Sequence, residues 1–560
     1  MDKISEFSIL LTKGLEVAPR IIGHMDRNVL SPTYGCFERR YWAWKTAAMP
    51  DAANQYAIYY LALIWSLKHE NNPFYRNQNI LELIHCGMRR LVQLQNRDGS
   101  FNQLFPNEHS VGATAYTLLA IMDTNKILGN HIKNSLAPEI FVAIKKAGDF
   151  LLSCDETYGI ISNHLALFAV TFHELWKLTG KQAYRDKCKG QISIILNNMS
   201  QEGWFKEYDG ADPGYMTQCL YYLTRLLEEG YTELKEPVSL VITDYFPYFL
   251  HPDGSIGGHY GSRNTAIFYP AGFSLLFSVY PEARRILSAA CTGIKSQASP
   301  SPDCCDFPNA LRLACNYLLA WESLQKKEGI LENKDNYRLP HERENVWKEF
   351  SQAGQLIVGT PFYYALIGLN KGGIAKIYDK ASKLLVYDGR GYIAKLGAKT
   401  VTTQMFYDAK VESAGKKIKI KQPFFIVKLH KMTPFKYVTI LLLGLTIFKL
   451  KFFREVFKKI LVGLLMTNKH LTFAYCDRRI FFEDGKITIK DLLSVPAGKV
   501  LEGGKNNLWF SAIHMASADY FAFSELNERE IVSLPRIDSK GLTVQYTLGF
   551  PYKELKVEFS

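Results

Sequence analysis

Between residues 52 and 330 the chain repeats one unit, a helical run closed by a glycine-rich polar loop, at a spacing of roughly 45–60 residues. The loops span 95–101, 158–164, 201–215 and 253–264. The run before the first loop carries Leu83, Ile84, Met88, Leu91 and Val92 at helical spacing. A helix pair of this kind cannot bury its apolar face alone, so successive pairs must stack. Closing the stack predicts an α/α toroid over residues 1–345, with the loops gathered at one end.

The pattern changes near residue 375. Short stretches alternate with period two at 417–421, 487–490, 544–548 and 555–559, with turn residues between them. This predicts a C-terminal antiparallel β-sandwich over 375–560, joined to the toroid by a linker at 346–374. The fold class is therefore multidomain, α followed by β.

One insert at 434–468 interrupts the strands. Its first apolar run is shorter than the ~20 residues that span a bilayer. Its second part sets Phe453, Val456, Phe457, Ile460, Leu461 and Leu464 on one helical face and Arg454, Lys458 and Lys459 on the other. Two readings fit: a hairpin packed on the rest of the chain, or a helix lying on an anionic membrane surface. The formal net charge of +13 favours acidic partners. No nucleic-acid motif is present, so the expected partner is an acidic polysaccharide or a lipid surface. The first residues show no secretory pattern, which predicts a cytoplasmic protein, peripheral on the inner face of the membrane if the insert docks there. The ten cysteines show no metal-ligand spacing and read as reduced core residues.

Candidate chemistry lies in the loops. Residues 253–264 bring His259, Tyr260, Arg263 and Asn264 into one segment with Gly257, Gly258 and Gly261. Asn163 and His164 open the helix after the second loop. Asn107 and His109, then Glu207 and Asp212, lie in two further loops, and Arg39 and Trp42 in an aromatic, cationic segment near the start. Aromatic rings stack on sugar faces and arginine reaches carboxylates. Each candidate has a structural alternative. Asn163 suits a helix N-cap, Arg263 a local ion pair, and Tyr260 a core position with a satisfied hydroxyl.

A toroid followed by an antiparallel β-domain resembles the heparinase II/III-type polysaccharide lyases. Ser162-Asn163-His164 resembles the Asn-His element of that group, and His259-Tyr260 with Arg263 and Asn264 resembles its Tyr/Arg cluster. The loop set is also similar to heparinase II/III-like proteins linked to bacterial surface-polysaccharide genes. The resemblance implies β-elimination at a uronic acid without a cofactor or metal. Asn163, Arg263 or Asn264 would neutralise the carboxylate, and Tyr260 and His164 would move protons, with His259 and His109 in reserve. Two alternatives stand beside it. One is a toroidal glycoside hydrolase using two carboxylates among Glu108, Glu207, Asp209, Asp212 and Asp253. The other is a glycan-binding or assembly protein without activity.

Overall fold

A computed structural model describes residues 6–154, 159–327, 337–428, 431–464, 469–506, 508–513, 520–526 and 531–560. Residue 158 of the second loop and the last four positions of the expected insert fall outside these.

Six helices form a closed inner ring: Ala57–Ser66, Val111–Leu128, Ser162–Thr179, Pro213–Glu228, Ala271–Leu276 and Phe307–Gln325. Each packs on the next, and the last packs back on the first. Ring helices touch protein on nearly every side, so their sequences are apolar almost all round. In Ala57–Ser66 every residue but the last is buried. The outer helices, among them Gln78–Leu94, Ala137–Leu152 and Pro281–Lys295, bury one stripe and expose the other. The expected toroid is present.

The segment 346–374 is not a linker. It holds strands Val346–Phe350, Gln355–Gly359 and Tyr363–Gly368, which continue through Ile374–Asp379 and Leu385–Gly389 as a five-stranded antiparallel meander. Ile357, Tyr364, Leu366 and Tyr378 pack into the toroid core. Leu356, Val358, Ala365, Ile367 and Ile377 pack against the second sheet instead. A sheet covered on both faces reads as a continuous apolar run, without the alternation that betrays a half-exposed strand.

The second sheet has ten strands, running from Val532–Ser533 at one edge to Leu555–Phe559 at the other. Its longest members, Lys417–Ile426 and Leu471–Glu483, pair antiparallel. The insert is the connection between these two strands: helices Pro434–Leu445 and Lys451–Val462 with a short turn between them. No helix among the described residues is long and apolar enough to cross a membrane. All ten cysteines are unpaired.

Between the sheets Arg478 and Asp491 form a buried bidentate pair at 2.8 and 2.7 Å. Tyr392 donates to the same carboxylate, and Arg478 also donates to the Gly373 carbonyl.

Candidate active site

The site is assembled by a small hairpin. Strands Lys206–Glu207 and Gly210–Ala211 pair, and Glu207 forms a bridge with Ile161 just before helix Ser162–Thr179. The Tyr208 N–H donates to the Ile160 carbonyl at 2.9 Å, and the Ser162 hydroxyl donates to the Lys206 carbonyl at 2.6 Å. These contacts set Glu207 and Tyr208 against Asn163 and His164.

Asn163 does not cap the helix. The N-cap is Ile161, which makes no side-chain cap bond. Asn163 is buried, and its amide closes no hydrogen bond of good geometry among the described residues, although it lies near enough to the Glu207 carboxyl to pull that group's pKa down. A buried amide without a well-formed bond costs about 1–3 kcal/mol. His164 is half-buried, with its ring edge-on to Tyr116 at 6.3 Å.

Arg263 comes from the loop at 253–264. Its guanidinium lies 4.9 Å from the centre of the Tyr208 ring, a cation–π distance. Asp212 holds this loop in place. It caps helix Pro213–Glu228 by accepting from the Tyr215 N–H at 3.0 Å. Its other oxygen accepts from the backbone of Arg263 at 2.8 Å and Thr265 at 3.3 Å. The same loop needs glycine at 257, where φ is +61° and a Cβ would stand 2.2 Å from the Thr265 carbonyl oxygen.

Burial raises the Glu207 pKa to about 8, and Asp212 adds to the rise; His164, the Asn163 amide and Arg263 pull it back. Glu207 is therefore protonated at neutral pH. Lys371, from the turn after the third strand of the smaller sheet, donates to the Gly261 carbonyl at 2.9 Å and to the Asn264 side-chain oxygen. Burial lowers its pKa to about 7. With Glu207 neutral, Arg263 supplies a positive charge that Glu207 does not cancel.

Tyr260, expected as a proton carrier, lies elsewhere. Its ring is in the toroid core, and its hydroxyl is 2.8 Å from His251 Nε2. His251 Nδ1 in turn meets Ser255 and Tyr378. Burial pushes the Tyr260 pKa well up. A closed-off phenol with a satisfied hydroxyl cannot meet a substrate, so the tyrosine of the cluster that keeps partial exposure is Tyr208.

The remaining candidates scatter. His259 is buried toward the sheets, 6.2 Å from Trp509. Asn264 is buried at φ +61° and donates to Ser511. His109 Nδ1 lies 2.6 Å from an Asp98 oxygen and 2.7 Å from the Ser100 hydroxyl, locking the first loop. Asn107 donates to the Gly444 carbonyl of the insert at 2.9 Å. Arg39 is exposed 5.8 Å from the Trp42 ring, and Trp42 donates to the His24 carbonyl at 2.9 Å. Asp212 is a scaffold, not a substrate ligand. Among the described residues no group of three or more His, Cys, Asp or Glu is placed to hold a metal ion.

Three residues outside the expected set belong near this cluster. Arg312 lies 4.3 Å from the Tyr116 ring, and its charge is also felt by Tyr269. They come from ring helices and the segment leading into one, and they carried only a core signal. Tyr208 did carry a sequence signal, since it sits between Glu207 and Asp212 in a glycine-rich loop.

Toroid, buried meander and large sheet together form a fold shared with solved polysaccharide lyases. The Streptomyces coelicolor A3 chondroitin AC lyase, solved in complex with chondroitin sulphate, aligns with a TM-score of 0.56 at 11% identity, over 89% of this chain and 70% of that one. A Paenibacillus xanthan lyase aligns with a TM-score of 0.51 at 13% identity, over 90% of this chain and 46% of that one. The chain thus spans less than half the length of the xanthan lyase. No protein-family model and no curated protein matches the chain by sequence.

Proposed function

We propose that the chain cleaves an acidic, uronate-containing polysaccharide by β-elimination. The observation that carries this reading is the placement of Tyr208 against Arg263, beside the buried Asn163 amide and half-buried His164. The C5 proton of a uronate is too weakly acidic to remove until its carboxylate is neutralised. Arg263 and Asn163 supply a charge and a hydrogen-bond donor for that carboxylate. His164 takes the C5 proton. The electron pair forms the C4–C5 double bond, the C4–O bond breaks, and Tyr208 protonates the departing oxygen.

The hydrolytic alternative needs two carboxylates free to flank the bond. Glu108 accepts from the Gln103 and Leu104 backbone, Asp253 from Ser255, and Asp212 from three backbone groups, while Asp209 pairs with Lys469 at 2.8 Å. These contacts favour elimination over hydrolysis.

Ultraviolet absorbance across a panel of uronate polysaccharides tests the proposal, because the unsaturated uronate product absorbs where the substrate does not. A rise abolished in His164→Ala and cut in Tyr208→Phe supports it. New reducing ends without absorbance would move the case to hydrolysis. Tight binding without either signal would make this a glycan-binding protein.

A further inference from the structure

The hairpin insert has two unlike sides. Its inner side is clamped to the loop end of the toroid. The Phe105 ring meets Phe448 at 5.1 Å and Phe457 at 5.4 Å, Asn107 donates to Gly444, and Lys458 faces Glu108 at 3.6 Å. Its outer side is left apolar. Phe435 is 80% exposed, Phe452 71%, Leu450 60% and Leu442 57%. Large hydrophobics so exposed within one hairpin mark a contact surface.

The charge says what kind of surface it meets. Residues 431–464 carry seven basic side chains and a single acid, Glu455. Arg454 is spent on the Phe448 and Lys449 carbonyls, and Lys458 faces Glu108. Lys431, Lys436, Lys449, Lys451 and Lys459 remain exposed around the apolar residues. A second copy of the chain would bring like charges together. An anionic bilayer takes both features at once: phenyl rings enter the acyl boundary while lysines meet the headgroups, each adding about 1 kcal/mol.

We infer that helices Pro434–Leu445 and Lys451–Val462 form a docking surface for an anionic lipid bilayer. It holds the loop end of the toroid close to that bilayer, so the polymer the site meets is one presented at a lipid surface. The lipid contact does not depend on the reaction proposed above.

The test is co-sedimentation of the full chain with phosphatidylcholine vesicles, with and without phosphatidylglycerol. Anionic vesicles should bind about tenfold or more tightly than neutral ones, with the difference lost at high salt. The double variant Phe435→Ser and Phe452→Ser, and the triple variant Lys436→Glu, Lys449→Glu and Lys451→Glu, should each lose binding while melting as the parent does. Equal binding to both vesicle types, or none to either, would overturn the inference. So would concentration-dependent self-association in place of vesicle binding, abolished by the phenylalanine variant.

Discussion

The Arg263 guanidinium lies 4.9 Å from the centre of the Tyr208 ring, although the two residues come from separate toroid loops. Asp212 makes the meeting possible by accepting from the Arg263 N–H at 2.8 Å while it caps the helix that follows the Tyr208 hairpin. Tyr208 and Tyr260 therefore separate cleanly on mutation. Tyr208→Phe should lower kcat on a uronate polymer by about a hundredfold or more with little change in stability. Tyr260→Phe should leave activity within a few-fold but remove the bond to His251, costing about 1–2 kcal/mol of stability by denaturant titration. The reverse assignment of the two effects would remove Tyr208 from the mechanism.

The same pair shows where sequence reasoning stops. Both tyrosines sit in glycine-rich loops rich in polar residues, and residue type alone does not say which ring turns inward. That depends on the bridge between Glu207 and Ile161 and on a core pocket built around Tyr260 by Phe249 and His251. The loops themselves were legible, because glycine and acidic residues punctuate the helices. So were Asn163, His164, Glu207 and Arg263 as polar groups in those loops. The buried meander was not, since strands such as Gln355–Gly359 and Tyr363–Gly368 are covered on both faces and carry no alternation. Arg312 and Tyr116 were hidden for a related reason. A ring helix is apolar nearly all round, and only closure of the ring shows which side chains line its centre.

Glu207 should leave a mark on the pH dependence of stability. Its pKa is pushed up to about 8 in the fold, from an ordinary value of 4.5. Between those values the native state keeps a proton that the unfolded chain releases. Stability therefore falls as pH rises through the window, by up to about 1.4 kcal/mol per pH unit from this group. Lys371 acts the other way above its folded value of about 7, where the unfolded chain holds more protons and stability rises with pH. The clean window is pH 5 to 7. Across it Glu207→Gln should gain steadily on the parent protein in thermal or denaturant melts. Parallel profiles would show that Glu207 ionises freely.

Asp212 should couple stability to activity. Asp212→Ala strips acceptors from the part-buried Tyr215 N–H and the buried Arg263 and Thr265 N–H groups. The expected cost is about 2–4 kcal/mol, together with loss of turnover as the Arg263 loop loosens. Asp212→Asn keeps the helix cap but turns an amide donor or a single oxygen toward the other two groups, so it should fall between. Full activity in Asp212→Ala would mean that the Arg263 loop is held by other contacts.

Glu202 ties the toroid to the sheets. One of its oxygens accepts from the Gln352 N–H at 2.9 Å and the Ser351 hydroxyl at 3.2 Å. The other accepts from the Ala353 N–H at 3.0 Å and from Trp204 Nε1 at 3.0 Å. Residues 351–354 form the turn between the first two strands of the buried meander, so one carboxylate fixes that turn to the third toroid loop. Hydrogen bonds to a charged acceptor contribute about 1.5–3 kcal/mol each when a partner is removed, less where water can replace it. Glu202→Ala should therefore destabilise the joint before it disturbs the ring. Hydrogen exchange would show this as faster exchange in Val346–Phe350 and Gln355–Gly359, with the inner helix Ala57–Ser66 unchanged. Uniform acceleration through both regions would mean instead that toroid and sheets unfold as one cooperative unit, with no weak joint at Glu202.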